Sequence, residues 1–374
     1  MLGIGRNVVW LVMPLVWSCD GGEASSPTPQ SPSLPATSET SGAAAASSSE
    51  AAAASTSGEE PVVSTGGTAT SDLDDNSAAQ TTEDTSDGQV VVGERAMGAR
   101  CEREKRLGSL GVNLATDRTI VAGAVSNGVL PTSVPAVSAE SGGCQLLVPR
   151  TLLCSSCEST QACAGDDQCV AKPSKVSVGK LEIEGLSGVS EVAPNGITLD
   201  YSKTILDPFP AYGIGEPVTL RATGDVTSGF QAELIGVPAL TSDLTAVATK
   251  RGEPAVITWD TEGVIAGESA VFVSFSVNVH GAVTGWIECT APDTGEFEIP
   301  ADLVTSLIDR GSSGFPRVDL ERRSSAVIDL EEGCVELYVS SKLTLDIELD
   351  GLISCHDDDG CPEGQTCNEE LACE

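Results

Sequence analysis

Histidine is almost missing from this 374-residue chain, with His280 and His356 the only two. Zinc hydrolases rest their metal on two or three histidines, so that chemistry is disfavoured, and a Ser-His-Asp triad would have to use one of this pair. Aromatic side chains are also scarce, at 3% of residues, and of the tryptophans only Trp259 and Trp286 lie beyond the first 17 positions. Sugar sites stack rings on such side chains, which lowers the glycosidase and lectin readings; paired carboxylates stay open, because their separation is set in space. Basic residues are few as well: 20 Lys and Arg stand against 55 Asp and Glu, a net charge of −35, and none occurs from Asn7 to Glu94. Nucleic acid and anionic lipid surfaces both bind clustered positive charge, so neither is an expected partner. An acidic balance of this size can collect Ca²⁺, although most acidic surfaces are simply solvated. No apolar run reaches the about 20 residues that a spanning helix requires.

What is present begins with one short apolar run. Val8 to Trp17 contains Pro14, follows a single positive charge at Arg6, and leads into Val16-Trp17-Ser18-Cys19. This ending resembles a bacterial lipobox, in which a signal peptidase cuts before the cysteine and its thiol receives a diacylglycerol. The resemblance implies a lipoprotein signal peptide over 1–18 and lipid attachment at Cys19. The protein would then sit in the cell envelope of a Gram-negative bacterium, held to the inner or outer membrane through covalent lipid. Ordinary secretory cleavage is the competing reading. Residues 19–88 are built from Ser, Ala, Thr, Pro, Gly, Glu and Asp, with almost no large apolar side chains. Such a segment cannot bury enough surface to offset its ordering entropy, so a long disordered tether is expected, with a reach of about 40–50 Å for ~70 residues.

Cysteine is plentiful. Setting Cys19 aside leaves twelve of thirteen, an even number that suits six disulfides in an oxidising compartment. Cys154, Cys157, Cys163 and Cys169 are spaced C-x2-C-x5-C-x5-C, while Cys355, Cys361, Cys367 and Cys373 are spaced C-x5-C-x5-C-x5-C. Both stretches are too short for a hydrophobic core and need staples. Pairing first to third and second to fourth is expected in each. Of the remaining four, Cys101 is expected to pair with Cys144 and Cys289 with Cys334, the latter closing a loop of ~45 residues. Cys154-Ser155-Ser156-Cys157 also has the spacing of a thiol oxidoreductase, and the quartet's four sulfurs suit tetrahedral zinc. No βαβ pattern surrounds them, and two further cysteines follow closely, which favours a structural staple.

From Gln89 onward the texture changes to short β-rich runs punctuated by Gly, Pro, Asn and Asp. The order read from it is a small β-rich subdomain over 89–150, a cysteine-rich module over 151–174, a β-sandwich domain over 175–354 and a C-terminal cysteine-rich module over 355–374. Val271, Val273, Phe275, Val277 and Val279 alternate with Phe272, Ser274, Ser276 and Asn278, the period of a half-buried strand. Val335 to Leu349 repeats the pattern with an acidic opposite face. Further strands are expected at 119–125, 145–148, 176–184 with a bulge at Gly179, 197–202, 217–223, 230–236, 255–260, 283–290, 295–299 and 317–330. One helix is readable, with Pro300 in its first turn, Asp302 at its positive end, Leu303, Val304, Leu307 and Ile308 on one stripe, and Gly311 as a stop. Arg100 to Arg106 reads as a short basic helix with solvated charges. The fold class is mainly β: a β-sandwich with small disulfide-rich modules, one short helix and the N-terminal tether.

Several stretches carry a family resemblance. Gly143-Cys144-Gln145-Leu146-Leu147, Gln168-Cys169-Val170 and Ser177 through Leu186 are among them, as are Gly285-Trp286-Ile287-Glu288-Cys289 and Asp293 through Ala301. The ending adds Gly333-Cys334-Val335-Glu336-Leu337, Gly351-Leu352-Ile353-Ser354-Cys355 and Cys361 through Cys367. Together they resemble an exported lipoprotein family of myxobacterial type, in which paired cysteine-rich modules flank a β domain. The resemblance covers about 140–374 and implies a location and a module order, with no activity. The closing module also resembles, by spacing, the Dickkopf-like and EB-type cysteine modules of extracellular proteins.

Candidate chemistry is thin. His280 precedes Gly281 at an apparent hairpin end and reads as a solvated turn residue rather than a base. Asp357, Asp358 and Asp359, and Asp166 with Asp167, offer oxygen ligands without the alternating spacing of an EF-hand. The sequence therefore supports a lipid-anchored envelope protein of structural or ligand-binding type, with no cofactor, no catalytic residue, and a protein or glycan ligand left open. A Ca²⁺-assisted adhesion or carbohydrate-binding module, and a hydrolase using carboxylates or His280, are the alternatives.

Overall fold

A computed structural model describes residues 90–279 and 282–374. The expected signal peptide over 1–18, Cys19 and the expected tether over 19–88 lie outside the described residues, as does His280.

The described chain is mainly β, with one α-helix. It enters through β1 (Val91–Val92) and β2 (Glu94–Arg95), then forms β3 (Arg106–Leu114), β4 (Thr119–Ser126), β5 (Ala136–Ser141) and β6 (Cys144–Val148). The first cysteine-rich module is a hairpin of β7 (Gln161–Gly165) and β8 (Gln168–Ala171). Next come β9 (Lys175–Val176), β10 (Leu181–Glu184), β11 (Glu191–Val192), β12 (Tyr201–Ile205), β13 (Pro217–Ala222) and β14 (Phe230–Ile235). They are followed by β15 (Ala246–Thr249), β16 (Ala255–Thr258), β17 (Ala270–Val279), β18 (Ala282–Pro292) and β19 (Glu296–Ile299). The helix α1 (Ala301–Ile308) precedes the longest antiparallel pair, β20 (Arg317–Leu330) and β21 (Gly333–Leu349).

These strands form one large sheet, ordered β12-β4-β3-β21-β20-β17-β18-β6-β5 with β2, β9 and β15 attached, and a five-stranded sheet, β1-β14-β13-β10-β11. Alternation along β20 explains how the two meet. Its even-numbered residues point to one face: Val318 and Leu320 enter one hydrophobic cluster, and Ala326 and Ile328 enter another. The odd-numbered residues of β21 do the same, with Val335, Leu337 and Val339 in the second of these and Leu345 and Ile347 in the first. One face of the large sheet is thus covered in two places. The five-stranded sheet packs on the half around β3, β4 and the Val335 end of β21. The β16–β19 pair and α1 pack on the half around β17, β18 and β6. Each fully buried Leu, Ile, Val or Phe side chain contributes roughly 1.5–3 kcal/mol.

Helix α1 starts after Pro300, carries Asp302 in its first turn and buries Leu303, Val304 and Leu307, as its stripe implies. Other expectations need correction. The piece set apart as a subdomain at 89–150 supplies β3, β4, β5 and β6 to the large sheet, so it belongs to the body of the fold. Hydrogen bonds to β21 and β18, distant in sequence, incorporate it. Residues 100–106 are no helix, because Arg106 already opens β3. The run at 176–184 is two strands in different sheets, broken at Gly179, where φ is +80° and an added Cβ would meet the Gly224 carbonyl. The strand expected at 197–202 begins only at Tyr201, since the Asn195 side chain accepts hydrogen bonds from the Ile197 and Thr198 amides and turns the chain.

Candidate functional site

The twelve cysteines other than Cys19 form six disulfides. Both quartets pair first to third and second to fourth: Cys154–Cys163 and Cys157–Cys169, then Cys355–Cys367 and Cys361–Cys373. The other four pair differently from expectation. Cys144 and Cys289 face each other across β6 and β18, with Cα atoms 4.2 Å apart. Cys101 pairs with Cys334, so neither Cys101–Cys144 nor Cys289–Cys334 forms. The physical reason is the parallel pairing of β3 with β21, which brings Arg106 beside Cys334 and folds the preceding residues across the sheet. Within the modules, three sulfurs of Cys154, Cys157 and Cys169 lie within 4.8 Å of one another, as do those of Cys355, Cys361 and Cys367. Bonded as disulfides, they are not thiolates that ligate a metal.

Two of the acidic candidates, Asp167 and Asp358, are held by their own loops. Asp167 accepts hydrogen bonds from the Ser155 amide and hydroxyl, which hold its carboxyl below the usual range. Asp358 accepts one from the Cys367 amide. His356 stacks on Phe315, ring centroids 4.3 Å apart, and among the described residues its imidazole makes no hydrogen bond. Asp167 and Asp358 thus brace their own modules, and His356 ties the C-terminal module to Phe315.

The structure instead draws attention to the other face of the large sheet. Because β2 pairs with β20 and β3 with β21, residues 96–105 must cross both strands, and they do so on the face opposite the two cores. Three anchors hold the crossing: the Cys101–Cys334 disulfide, a hydrogen bond from the Cys101 amide to Glu336 Oε1 at 3.0 Å, and one from Ser325 Oγ to the Ala99 carbonyl at 3.0 Å. Glu336 and Tyr338, expected on the solvated side of β21, are consequently buried.

Beside this crossing lies a cleft of about 750 Å³. Arg103 donates to Gln145 Oε1 at 2.7 Å and to Glu288 Oε2 at 2.8 Å; Arg100 approaches the same Glu288 oxygen at 3.3 Å, and Trp286 Nε1 donates to Oε1 at 2.9 Å. Burial pushes the Glu288 carboxyl up, but these hydrogen bonds and the two guanidinium charges outweigh it and hold the group below its ordinary range. Arg100 also lies over the Phe272 ring at 4.9 Å. Arg323 lies over Phe272 at 5.0 Å and over Tyr338 at 4.6 Å, and its remaining contacts are to Glu321 and Glu336. The basic run read as solvated is therefore built into the sheet through Arg100 and Arg103.

No protein-family model and no curated protein matches this chain.

What the cleft offers chemically follows from its partners. Arg100 and Arg103 at its centre are bound to the Glu288 carboxylate, and the sulfurs at its edge are in disulfides. Such a set can hold a polar ligand by hydrogen bonds. It presents no paired base and nucleophile.

Sequence reasoning also missed Arg322, fully buried at the junction of the two cores. It donates to both Asp293 oxygens, at 2.7 and 3.1 Å, to the Asp260 carbonyl at 2.6 Å and to the Ala239 carbonyl at 3.0 Å. Asp293 accepts further from Trp259 Nε1 and Ser269 Oγ. The only sequence signal was a basic residue at a position where the alternation of β20 demands an apolar one.

Proposed function

We propose that this protein is a lipid-anchored cell-envelope protein of structural or ligand-binding type, carried on the acidic tether of residues 19–88 and working without catalysis. The observation that carries the reading is the cysteine arithmetic. Six disulfides take twelve of thirteen cysteines, and the thirteenth is the lipobox-like Cys19. Six disulfides suit an exported protein in an oxidising compartment. The mutual pairing of charges in the cleft supports binding over turnover, and the acidic balance leaves covalent lipid as the membrane contact. On this reading the resemblance to exported lipoproteins of myxobacterial type describes a module order shared with other envelope proteins.

The test is metabolic labelling with a fatty acid in a bacterial host. The wild-type chain should incorporate label and partition with membranes, and Cys19→Ala should do neither. Label persisting in Cys19→Ala would refute the anchor. Activity on a hydrolase substrate panel that disappears in His280→Ala would replace the non-catalytic reading with an enzymatic one, and a rise in melting temperature specific to Ca²⁺ would favour an adhesion module.

A further inference from the structure

The disulfides are nested. Cys101–Cys334 spans 233 residues of sequence; Cys144–Cys289 lies inside it, and both bonds of the first module lie inside that. A chain pulled at its ends cannot extend residues enclosed by a disulfide, because tension crosses the sulfur–sulfur bond instead. Residues 102–333 are therefore a closed loop hung from Cys101 and Cys334.

Beyond that bond the path enters β21 at its first residues and leaves it at Leu349. β21 is already extended: a strand rises about 3.3–3.4 Å per residue against at most ~3.6 Å for a stretched chain, so it has almost no slack. It is also internal. β20 pairs with it from Gly333 to Asp346 on one side, while β3 and then β15 pair with it on the other. Opposed pulls on the two ends of one strand put no net peeling force on its neighbours. Past β21 the path reaches the terminal module, closed by Cys355–Cys367 and Cys361–Cys373.

We propose that the Cys101–Cys334 disulfide and β21 form a tension line that joins the N-terminal segment to the C-terminal module and shields residues 102–333 from force. The anchored reading given above supplies only the source of the pull. A partner gripping the C-terminal module would be linked to the membrane through this line, and the cleft and both cores would keep their shape under load.

The experiment is single-molecule stretching of the full mature chain carrying Cys19→Ala, with peptide handles at both ends. With disulfides intact, the folded part should release less than about 120 Å, since at ~3.6 Å per residue only 90–101 and 334–355 lie outside the closed loops. C101S/C334S should release about 400 Å, because Cys144–Cys289 still encloses its own loop, and the fully reduced wild type about 1,000 Å. C144S/C289S should stay below about 120 Å. An oxidised wild type releasing about 600 Å, the length that Cys101–Cys144 and Cys289–Cys334 pairing would permit, would overturn the proposal. So would a C144S/C289S chain that lengthens. If C101S/C334S fails to fold, the C144S/C289S and reduced arms still decide. Loss of fatty-acid labelling would defeat the anchor and leave these lengths unchanged.

Discussion

Arg322 and Asp293 are the residues on which the junction between the two cores depends. The chain must cross from β14 to the second core there, and the crossing carries backbone groups that need partners away from water. Ser324 Oγ accepts from the Ile235 amide, Ser341 Oγ accepts from the Leu240 amide, and Arg322 serves the carbonyls of Ala239 and Asp260. Removing one member of such a pair leaves an uncompensated buried charge. Asp293→Asn and Arg322→Met are each expected to lower stability by about 3–5 kcal/mol, read as a lower urea midpoint with an unchanged slope. Glu288 sets a pH dependence. Its folded pKa is depressed, so its stabilising contribution is present above the unfolded value of about 4.3 and is lost as pH falls through the folded value. Stability of the wild type should decline in that acid range, and Glu288→Gln should show a shallower decline; equal slopes would remove Glu288 from the account.

At the scale of elements, legibility followed period. The alternation in β17 and β21 and the helical stripe of α1 were readable because a strand or helix that covers a core must repeat its apolar residues at its own spacing. What was not readable was the second buried face. Phe272, Glu336 and Tyr338 occupy positions that alternation assigns to solvent, yet they are buried on the face that residues 96–105 cross and against which Arg323 lies. Gly111 shows how close this packing is. It pairs with Tyr338 across β3 and β21, and a Cβ there would overlap the tyrosine ring. Gly111→Val should displace that ring from the Arg323 guanidinium and destabilise by about 1–3 kcal/mol, with altered near-ultraviolet circular dichroism as the local readout. Gly111→Ala should follow it with a smaller loss.

At the scale of the whole molecule, the described residues carry two cores on one face of a single long sheet, with four of their six disulfides nested. In the chain-entropy account a loop larger than 100 residues gives about 5 kcal/mol, so C101S/C334S should lose up to that amount. C154S/C163S closes only a short loop, and ~3 kcal/mol is its upper bound on the same account. Comparing urea midpoints of the two variants checks the order. The candidate site was legible in part: the four cysteines of each module pair among themselves, first to third and second to fourth as expected, because each short module has no core and is closed by its own staples.

The sequence by itself determined the β class, the helix, the two modules and the segregation of apolar from acidic faces, because these depend on spacing between near neighbours. Only the tertiary structure decided which strands share a sheet, that Cys101 meets Cys334 and Cys144 meets Cys289, that Arg322 is buried, and that Arg100 and Arg103 sit half-buried on Glu288. Those outcomes rest on contacts between residues far apart in the chain, such as β3 against β21, for which local periodicity carries no information.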